Sequence, residues 1–509
     1  MSFDDIIKAI NDAVWGYPLI ILILAVGILL TVRLKLLQVI RLPKAFKFMV
    51  KDEDGAKGEV SSFGALCIAL SATIGTGNIV GVATAIAAGG PGALFWMVVA
   101  AFFGMATKYA EGLLAVKYRT IDKEGHVLGG PFYYIENGMG KKFKWLAKLF
   151  AFFGTFAGLL GIGTITQCNG ITDVVQSFAD PDKTHTITLF GAEYSIAALI
   201  AGAVVTAFAA LVIIGGIKRI SKVSELVVPF MAILYVLTCL TLLLTNITEI
   251  PAALATVVEG AFNPSAVTGG VIGTMIVTMQ KGIARGIFSN ESGLGSAPIA
   301  AAAAKTKEPA RQGLVSMTGT FIDTIVICTM TGLSIVLTGA WQATDAAGNA
   351  LQGVNVTAYA FENGLWFLPA SVTNFILMIC LMFFAFTTIL GWNYYSERCL
   401  EYLCGKKRLV IKIFKFLYIA AIFIGPYLTA SAVWNIADIF NGMMAFPNLI
   451  ALFALSGVVA AETKSFLQRE KQKKNGGGQT LDVHEMIEDA DEAAEEMSGE
   501  AVIEQVKES

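Results

Sequence analysis

Four ionisable residues, Lys281, Arg285, Glu291 and Asp323, lie within runs that are otherwise apolar. A charged side chain at membrane depth costs at least ~2.5–3.5 kcal/mol on insertion scales, so each is a candidate for ion passage, proton transfer or gating. Lys281 and Arg285 are four residues apart, about one helical turn. Glu291 follows them and could pair with either, which favours an internal salt bridge or a gate. Asp323, in GTFIDTIVICTM, could serve a cation or a proton, or pair with Lys281 or Arg285. A second group is uncharged. The stretch from Ser71 to Asn78, SATIGTGN, packs two glycines and four hydrogen-bonding side chains together, and Lys281 and Arg285 have Gly282, Gly286, Gly293 and Gly295 about them. Glycine lowers the cost of leaving helical geometry. Unwound backbone in a membrane survives only where it is buried in protein or lines a cavity. There it offers N–H groups and positive dipole to a carboxylate, and freed carbonyls to a cation or an ammonium. The alternative use of such glycines is close helix packing.

Further polar side chains stand in apolar surroundings. GIGTITQCNGITD carries Thr166, Gln167 and Asn169, which either bond between helices or line a pocket, where an amide suits a zwitterion without a charge cost. FFAFTTILGWNYYSE carries Thr387 and Thr388. Their hydroxyls are hard, neutral donors of the kind sodium prefers, or they bond to their own helix backbone. Trp392 follows Thr388 by four and shares its helix face.

These residues need helices that cross a bilayer to hold them. The chain of 509 residues is 55% hydrophobic and 15% charged, against about a quarter charged for a soluble domain. A crossing takes about 20 apolar residues. Such runs lie near 17–35, 62–88, 93–116, 146–176, 194–216, 224–245, 267–302, 312–338, 370–396, 411–432 and 442–463, which makes about eleven transmembrane helices in an all-α integral membrane protein. Lys and Arg fill alternate loops: 33–57, 117–144, 218–222, 305–311, 398–408 and 464–474 are basic, whereas the loops between carry only Lys183. A missed or invented span would set two basic loops side by side. The positive-inside rule then puts the N-terminus outside and the C-terminus in the cytoplasm of a multi-pass cell-membrane protein.

Residues 1–14 read as an extracellular N-terminus, without the basic start and small-residue cleavage site of a secretory signal. Residues 15–464 read as the polytopic domain and 465–509 as an acidic cytoplasmic tail. With helix 17–35 set aside, the second and seventh spans become the first helices of two five-helix halves, about 62–245 and 267–463, and run in opposite directions. Interrupted helices at matching positions of inverted halves are the best sequence pointer to a transporter site. The net charge of −2 gives no basic field for nucleic acid. The apolar runs hold no His, and the chain carries no CxxC, HExxH or GxSxG, so neither a metal centre nor an enzyme is expected.

Several segments, in order, resemble the alanine/glycine:cation symporter family, also called sodium:alanine symporters: SATIGTGNIVGVATAIAAGGPGALFW, FFGMATKYAEGLLAVKYR, GGPFYYIENG, GIARGIFSNESGLGSAPIAAAAAKT, VSMTGTFIDTIVICTMTGL, TTILGWNYYSE and VWNIADIFNGMMAFPNLI. The resemblance runs from about Val14 to Lys464. It implies a LeuT-like 5+5 inverted repeat with one extra N-terminal helix, and symport of alanine or glycine with sodium, sometimes with a proton. It implies no organic cofactor. It places the substrate around Thr76, Gly77 and Asn78, with Gln167 and Asn169, a seventh-span break around Gly282 and Ile283, and Thr388 with Trp392. It implies a sodium site of Ser71 and Ile74 carbonyls with Thr387 and Thr388 hydroxyls. Proton coupling through Asp323 or Glu291, and a larger amide amino acid such as glutamine, stay open as alternatives.

Overall fold

The computed structural model describes residues 3–474 apart from 52, 54, 124, 182–183, 190–191, 264–274, 406 and 428–430. Lys183, His484, the start of the expected seventh span and residues 475–509 of the expected tail therefore lie outside the described residues. The chain separates into two units, Met1–Ala460 and Ala461–Ser509. In the second, the described residues up to Lys474 are helical, and Arg469 donates to Ser465 one turn back at 2.7 Å.

The first unit is built from helices: α1 (Phe3–Val14), α2 (Tyr17–Arg33), α3 (Ser62–Thr73), α4 (Val82–Gly89), α5 (Gly92–Lys117), α6 (Lys144–Leu160), α7 (Ile165–Ala179), α8 (Ile196–Ile214), α9 (Gly216–Thr245), α10 (Ile250–Phe262), α11 (Met275–Asn290), α12 (Ala297–Ala302), α13 (Pro309–Thr320), α14 (Thr329–Leu337), α15 (Val354–Gly364), α16 (Ala370–Cys404), α17 (Arg408–Ile424) and the part up to Ala460 of α18 (Ser431–Lys474). Among the described residues, eight helices are long and apolar enough to cross a membrane, and α3 with the segment Gly77–Gly89 makes a ninth, bent by 53°. The expected spans near 267–302 and 411–432 correspond to α11, interrupted after 16 residues, and to α17, of 17 residues. The two strand pairs are short: Thr120–Ile121 with Val127–Leu128, and Thr186–Leu189 with Ala192–Ser195, both antiparallel.

The helices turn apolar side chains both ways. On α8, Ala201, Gly202, Val205 and Ala209 are buried, whereas Ile200, Val204, Phe208 and Leu211 are exposed. On α9, Leu226, Phe230, Ile233 and Leu237 form a second exposed stripe at three- to four-residue spacing. A water-facing surface would not carry such continuous apolar stripes, but a lipid-facing one does. Small residues let the buried faces close up: a Cβ on Gly92 would fall 2.2 Å from the Gly260 backbone, and one on Gly282 2.2 Å from the Ala93 carbonyl oxygen.

The basic loops meet at one end of the unit. Arg119 donates to the carbonyls of Lys57, Ala302, Ala304 and Thr306, tying the approach to α3 to the segment after α12. In the 120–128 hairpin, His126 lies between two carboxylates, Nδ1 at 3.1 Å from Glu59 and Nε2 at 3.4 Å from Glu401. Arg398 closes the cluster at 3.5 Å from Glu59 and 2.7 Å from Glu401. The bonds from Glu401 and Glu59 push His126 up to about 9.

Candidate functional site

Two interruptions define the centre of the molecule. The first follows α3: Ile74 turns extended, a wide turn runs over Gly77–Gly81, and α4 resumes at 53°. Its backbone is held by amides. Gly75 N–H donates to Asn78 Oδ1 at 2.9 Å, and Thr76 N–H reaches Gln167 Oε1 at 3.4 Å. On the other side α16 presses close: Thr388 Oγ1 donates to the Phe384 carbonyl of its own helix at 3.0 Å and lies 3.3 Å from the Ile74 carbonyl, and a Cβ on Gly75 would sit 2.6 Å from that hydroxyl. Glycine is required there because α16 leaves no room for a side chain.

The second interruption lies between α11 and α12, at 291–296. Expected around Gly282 and Ile283, it falls nine residues later than Gly282, and α11 is continuous through both. The physical reason is that Gly282 serves close packing against α5, while Glu291 (φ 56°), Gly293 (φ 86°) and Gly295 (φ 83°) carry the left-handed turns. Glu111 on α5 anchors this segment. Its Oε1 accepts from Gly293 N–H and Gly295 N–H, both at 3.1 Å, and from Asn448 Nδ2 at 2.7 Å. Lys108, one turn earlier, donates to the Asn290 carbonyl at 2.9 Å, where α11 ends.

Asp323 links the interruptions. It sits in a wide-turn stretch, Phe321–Cys328, between α13 and α14. Oδ1 accepts from Asn78 Nδ2 at 2.7 Å, and Oδ2 from Ser289 Oγ at 2.9 Å and Thr324 Oγ1 at 2.7 Å. Asp323 therefore pairs with neither Lys281 nor Arg285. Nor does Glu291, whose oxygens accept from Trp392 Nε1 at 2.9 Å and Ser296 Oγ at 2.5 Å. Lys108 interacts electrostatically with Glu111, Glu291 and Asp323 together. These four groups are all buried.

A cavity of about 710 Å³ reaches the first interruption, lined there by Thr76, Val80, Gly170, Asp173, Gln176 and Leu381. Of the remaining residues expected to hold substrate, Gly77 packs on Phe288 and Ser289 of α11, Asn78, Gln167, Thr388 and Trp392 are buried at the interruptions, and Asn169 on α7 and Ile283 on α11 are buried within their helices. Of the expected sodium ligands, Ile74 and Thr388 are in contact. Ser71 Oγ bonds back to Ile68 at 2.7 Å, and its side chain packs on Gly391 of α16. Thr387 turns the other way: its hydroxyl bonds to Phe383 and Phe384 carbonyls, both at 3.0 Å, and lies 3.4 Å from Met231 Sδ on α9.

A family model described as the sodium:alanine symporter family matches residues 1–479. The chain belongs to that family. It is 48% identical over 480 residues to the sodium/alanine symporter AgcS of Methanococcus maripaludis, covering 93% of this chain and 100% of the relative. It is 52% identical over 472 residues to an uncharacterized transporter of Haemophilus influenzae, covering 92% and 98%. It is 36% identical over 476 residues to the "probable sodium/glutamine symporter" GlnT of Bacillus subtilis, covering 93% and 92%. In this symporter-family chain, sequence reasoning passes over Lys108, Glu111 and Asn448. Lys108 and Glu111 carried a usable signal, two opposite charges three apart inside an apolar run. Asn448 carried none, since its role depends on Glu111, 337 residues away.

Proposed function

We infer that this symporter-family chain imports a small neutral amino acid, alanine or glycine, coupled to sodium, by alternating access. The observation that carries the reading is the pair of interrupted helices joined by Asp323, which accepts from Asn78 of the first and from Ser289 of the second. On this reading the chain has eleven spans in a LeuT-like 5+5 inverted repeat after one extra helix, with the halves at about 62–245 and 267–463. It is a transporter of the cell membrane and not an enzyme, with the N-terminus outside.

The substrate carboxylate meets the N–H groups around Thr76, Gly77 and Asn78, with Gln167, Asn169, Ile283 and Trp392 about them. Sodium, as cargo, lies between the Ile74 carbonyl and the Thr388 hydroxyl, with Ser71 and Thr387 completing its surroundings. The 3.3 Å contact between Thr388 and Ile74 supports this reading, since sodium would draw the same two oxygens together. Sodium fixes the first interruption against α16 and so preorganises the substrate's donors. Each ligand then raises the other's affinity by the same factor. Inward movement of sodium supplies ~2.3 kcal/mol per charge per 100 mV, besides its concentration gradient. A glutamine-type substrate is the second reading, favoured by the name of the Bacillus subtilis relative.

The test is uptake of labelled alanine into proteoliposomes under a sodium gradient and under an equal potassium gradient. Accumulation with sodium alone is expected. Equal accumulation with both, or accumulation under a proton gradient without sodium, refutes sodium coupling. Glutamine accumulating in place of alanine selects the second reading.

A further inference from the structure

The segment between α2 and α3 has two faces of different kinds. The chain leaves α2, turns at Lys35 and Leu36 with φ of 55° and 57°, and forms two short helices, Leu37–Ile40 and Leu42–Met49. One face is packed. Leu37 and Ala45 are buried, and buried Gln38 donates to Thr31 Oγ1 at 3.0 Å. Phe46 meets Phe321 edge-on, with ring centroids 5.7 Å apart. Arg311 of α13 lies over the Phe48 ring at 4.8 Å and donates to the Lys51 carbonyl. The other face is open: Leu36, Val39, Ile40 and Val50 are exposed, and Lys35, Lys47 and Lys51 are exposed among them.

The charge of the segment has one sign. Residues 33–51 carry Arg33, Lys35, Arg41, Lys44, Lys47 and Lys51 and no Asp or Glu, in a chain whose net charge is −2. The acidic residue that follows, Glu53, is engaged by the protein: its Oε2 accepts from Thr306 Oγ1 at 2.9 Å and from Lys307 N–H at 3.1 Å. The exposed stripes of α8 and α9 are apolar alone, which fits acyl chains. Here large apolar side chains alternate with lysines, which fits neither medium by itself. Water leaves Val39, Ile40 and Val50 uncovered, and hydrocarbon strands the ammonium groups. The headgroup boundary satisfies both, with apolar side chains among the acyl chains and lysine stems carrying their charge out to phosphate. A cluster of basic residues without a carboxylate draws an acidic headgroup in preference to a zwitterionic one.

We propose that residues 35–51 form a binding surface for acidic phospholipid, and that lipid held there supports transport. The packed face supplies the connection. Phe321, on which Phe46 rests, opens the wide-turn stretch that carries Asp323, and Asp323 holds Asn78 and Ser289 of the two interruptions. Lipid that fixes the segment therefore steadies α13 and the link between the interruptions.

Lipid binding is independent of the symporter reading, whereas its effect on uptake rests on that reading, so the two are measured separately. Phosphatidylglycerol is titrated onto the purified full-length protein in detergent, and retained lipid per chain is counted by native mass spectrometry, with phosphatidylcholine as the neutral comparison. The wild type is expected to prefer phosphatidylglycerol. Each lysine at a membrane surface is worth about fivefold in that attraction before salt screening, so K35Q/K47Q/K51Q is expected to lose at least about tenfold in phosphatidylglycerol affinity. K141Q/K142Q/K148Q removes the same charge from another basic stretch and is expected to bind as the wild type does. V39Q/I40Q keeps every charge and is expected to weaken retention of both lipids; it also tests the same surface should the triple lysine variant not fold. Wild-type affinity in both K35Q/K47Q/K51Q and V39Q/I40Q, or an equal loss in K141Q/K142Q/K148Q, overturns the binding surface. In vesicles of phosphatidylcholine with equimolar phosphatidylglycerol, sodium-driven alanine uptake by the wild type is expected to exceed that in phosphatidylcholine alone, and K35Q/K47Q/K51Q is expected to lose that difference. Equal wild-type uptake in the two vesicles overturns the effect on transport. No alanine uptake in either overturns the symporter reading and leaves the lipid count standing.

Discussion

Replacing Glu111 by alanine removes one oxygen that three donors share: Gly293 N–H, Gly295 N–H and the Asn448 amide. All three lie where water does not reach, around the interruption that follows α11. A buried donor left without a partner costs about 1–3 kcal/mol, and Glu111→Ala strands three, so the upper bound is roughly 3–9 kcal/mol. Inside a membrane the freed groups find other partners more readily than that bound assumes, which moves the expectation toward its low end. Even ~3 kcal/mol is a large share of the ~5–15 kcal/mol that holds a typical domain together. The loss falls on 291–296 rather than on the whole molecule, because the helices packed around it keep their apolar contacts. E111A is therefore expected to reach the membrane, to melt several degrees lower in detergent, and to lose at least tenfold in sodium-driven alanine uptake. Glu111→Gln keeps an oxygen for the same donors and gives up the charge, so it should lie between wild type and E111A in both measurements. An E111A variant with wild-type uptake and wild-type melting would refute the assignment of Glu111 as the anchor of this interruption.

Thr388→Val keeps the shape beside Ile74 and removes the hydroxyl; sodium dependence of uptake should be lost before folding is, and an unchanged sodium requirement would refute the proposed place of Thr388 in the ion site. Asn78→Asp sets a carboxylate against Asp323 across a contact now 2.7 Å long, so uptake should fall at least tenfold; the exchange N78D/D323N restores an amide opposite a carboxylate and should recover part of it, and failure of N78D to impair uptake would argue against the link. His126 is held up at about 9 by Glu401 and Glu59, so its contribution to stability is complete below its ordinary value of about 6.5 and disappears as pH rises through 9. Melting temperature should step down over that window in the wild type and stay flat in His126→Gln; a step of the same size in both would assign it to other groups.

The apolar runs, the alternation of basic loops and the bend at Gly75 were all legible in the sequence because each depends on local composition. The second interruption was legible in kind but not in place. Gly282 and Gly293 are the same residue to a reader of sequence, yet one has no side chain because Ala93 leaves no space, and the other because its φ of 86° excludes one. Only the packing of α5 distinguishes them. Glu291 was picked out for its charge, but its φ of 56° could not be read from its residue type, since a non-glycine in that conformation persists only where its surroundings hold it. The surroundings are Trp392, 101 residues away, and Ser296. Lys108 and Glu111 were within reach of the same rule that singled out Asp323, that an ionisable side chain inside an apolar run needs a reason.

The two interruptions are not independent sites. Asn78 has one amide oxygen on Gly75 N–H and its nitrogen on Asp323, so the first interruption cannot change its geometry without moving that carboxylate. Asp323 holds Ser289 through its other oxygen, at the last turn of α11, one residue before the Asn290 carbonyl that Lys108 caps. Asn290 in turn donates to Thr324, the neighbour of Asp323, at 3.0 Å. A closed circuit thus runs from the first interruption through Asp323 to the second, and Trp392 returns it to α16, four residues from Thr388. A change at Thr388 displaces Ile74, and a change at Ile74 reaches Asn78 within one turn. In a low-dielectric interior such bonds strengthen one another, and a missing one is costly, so the circuit favours a few complete arrangements over a continuum of partial ones. Such a circuit suits the proposed coupling: a cation that completes one part would lower the cost of ordering the rest, and a substrate that orders the rest would tighten the cation's part by the same factor.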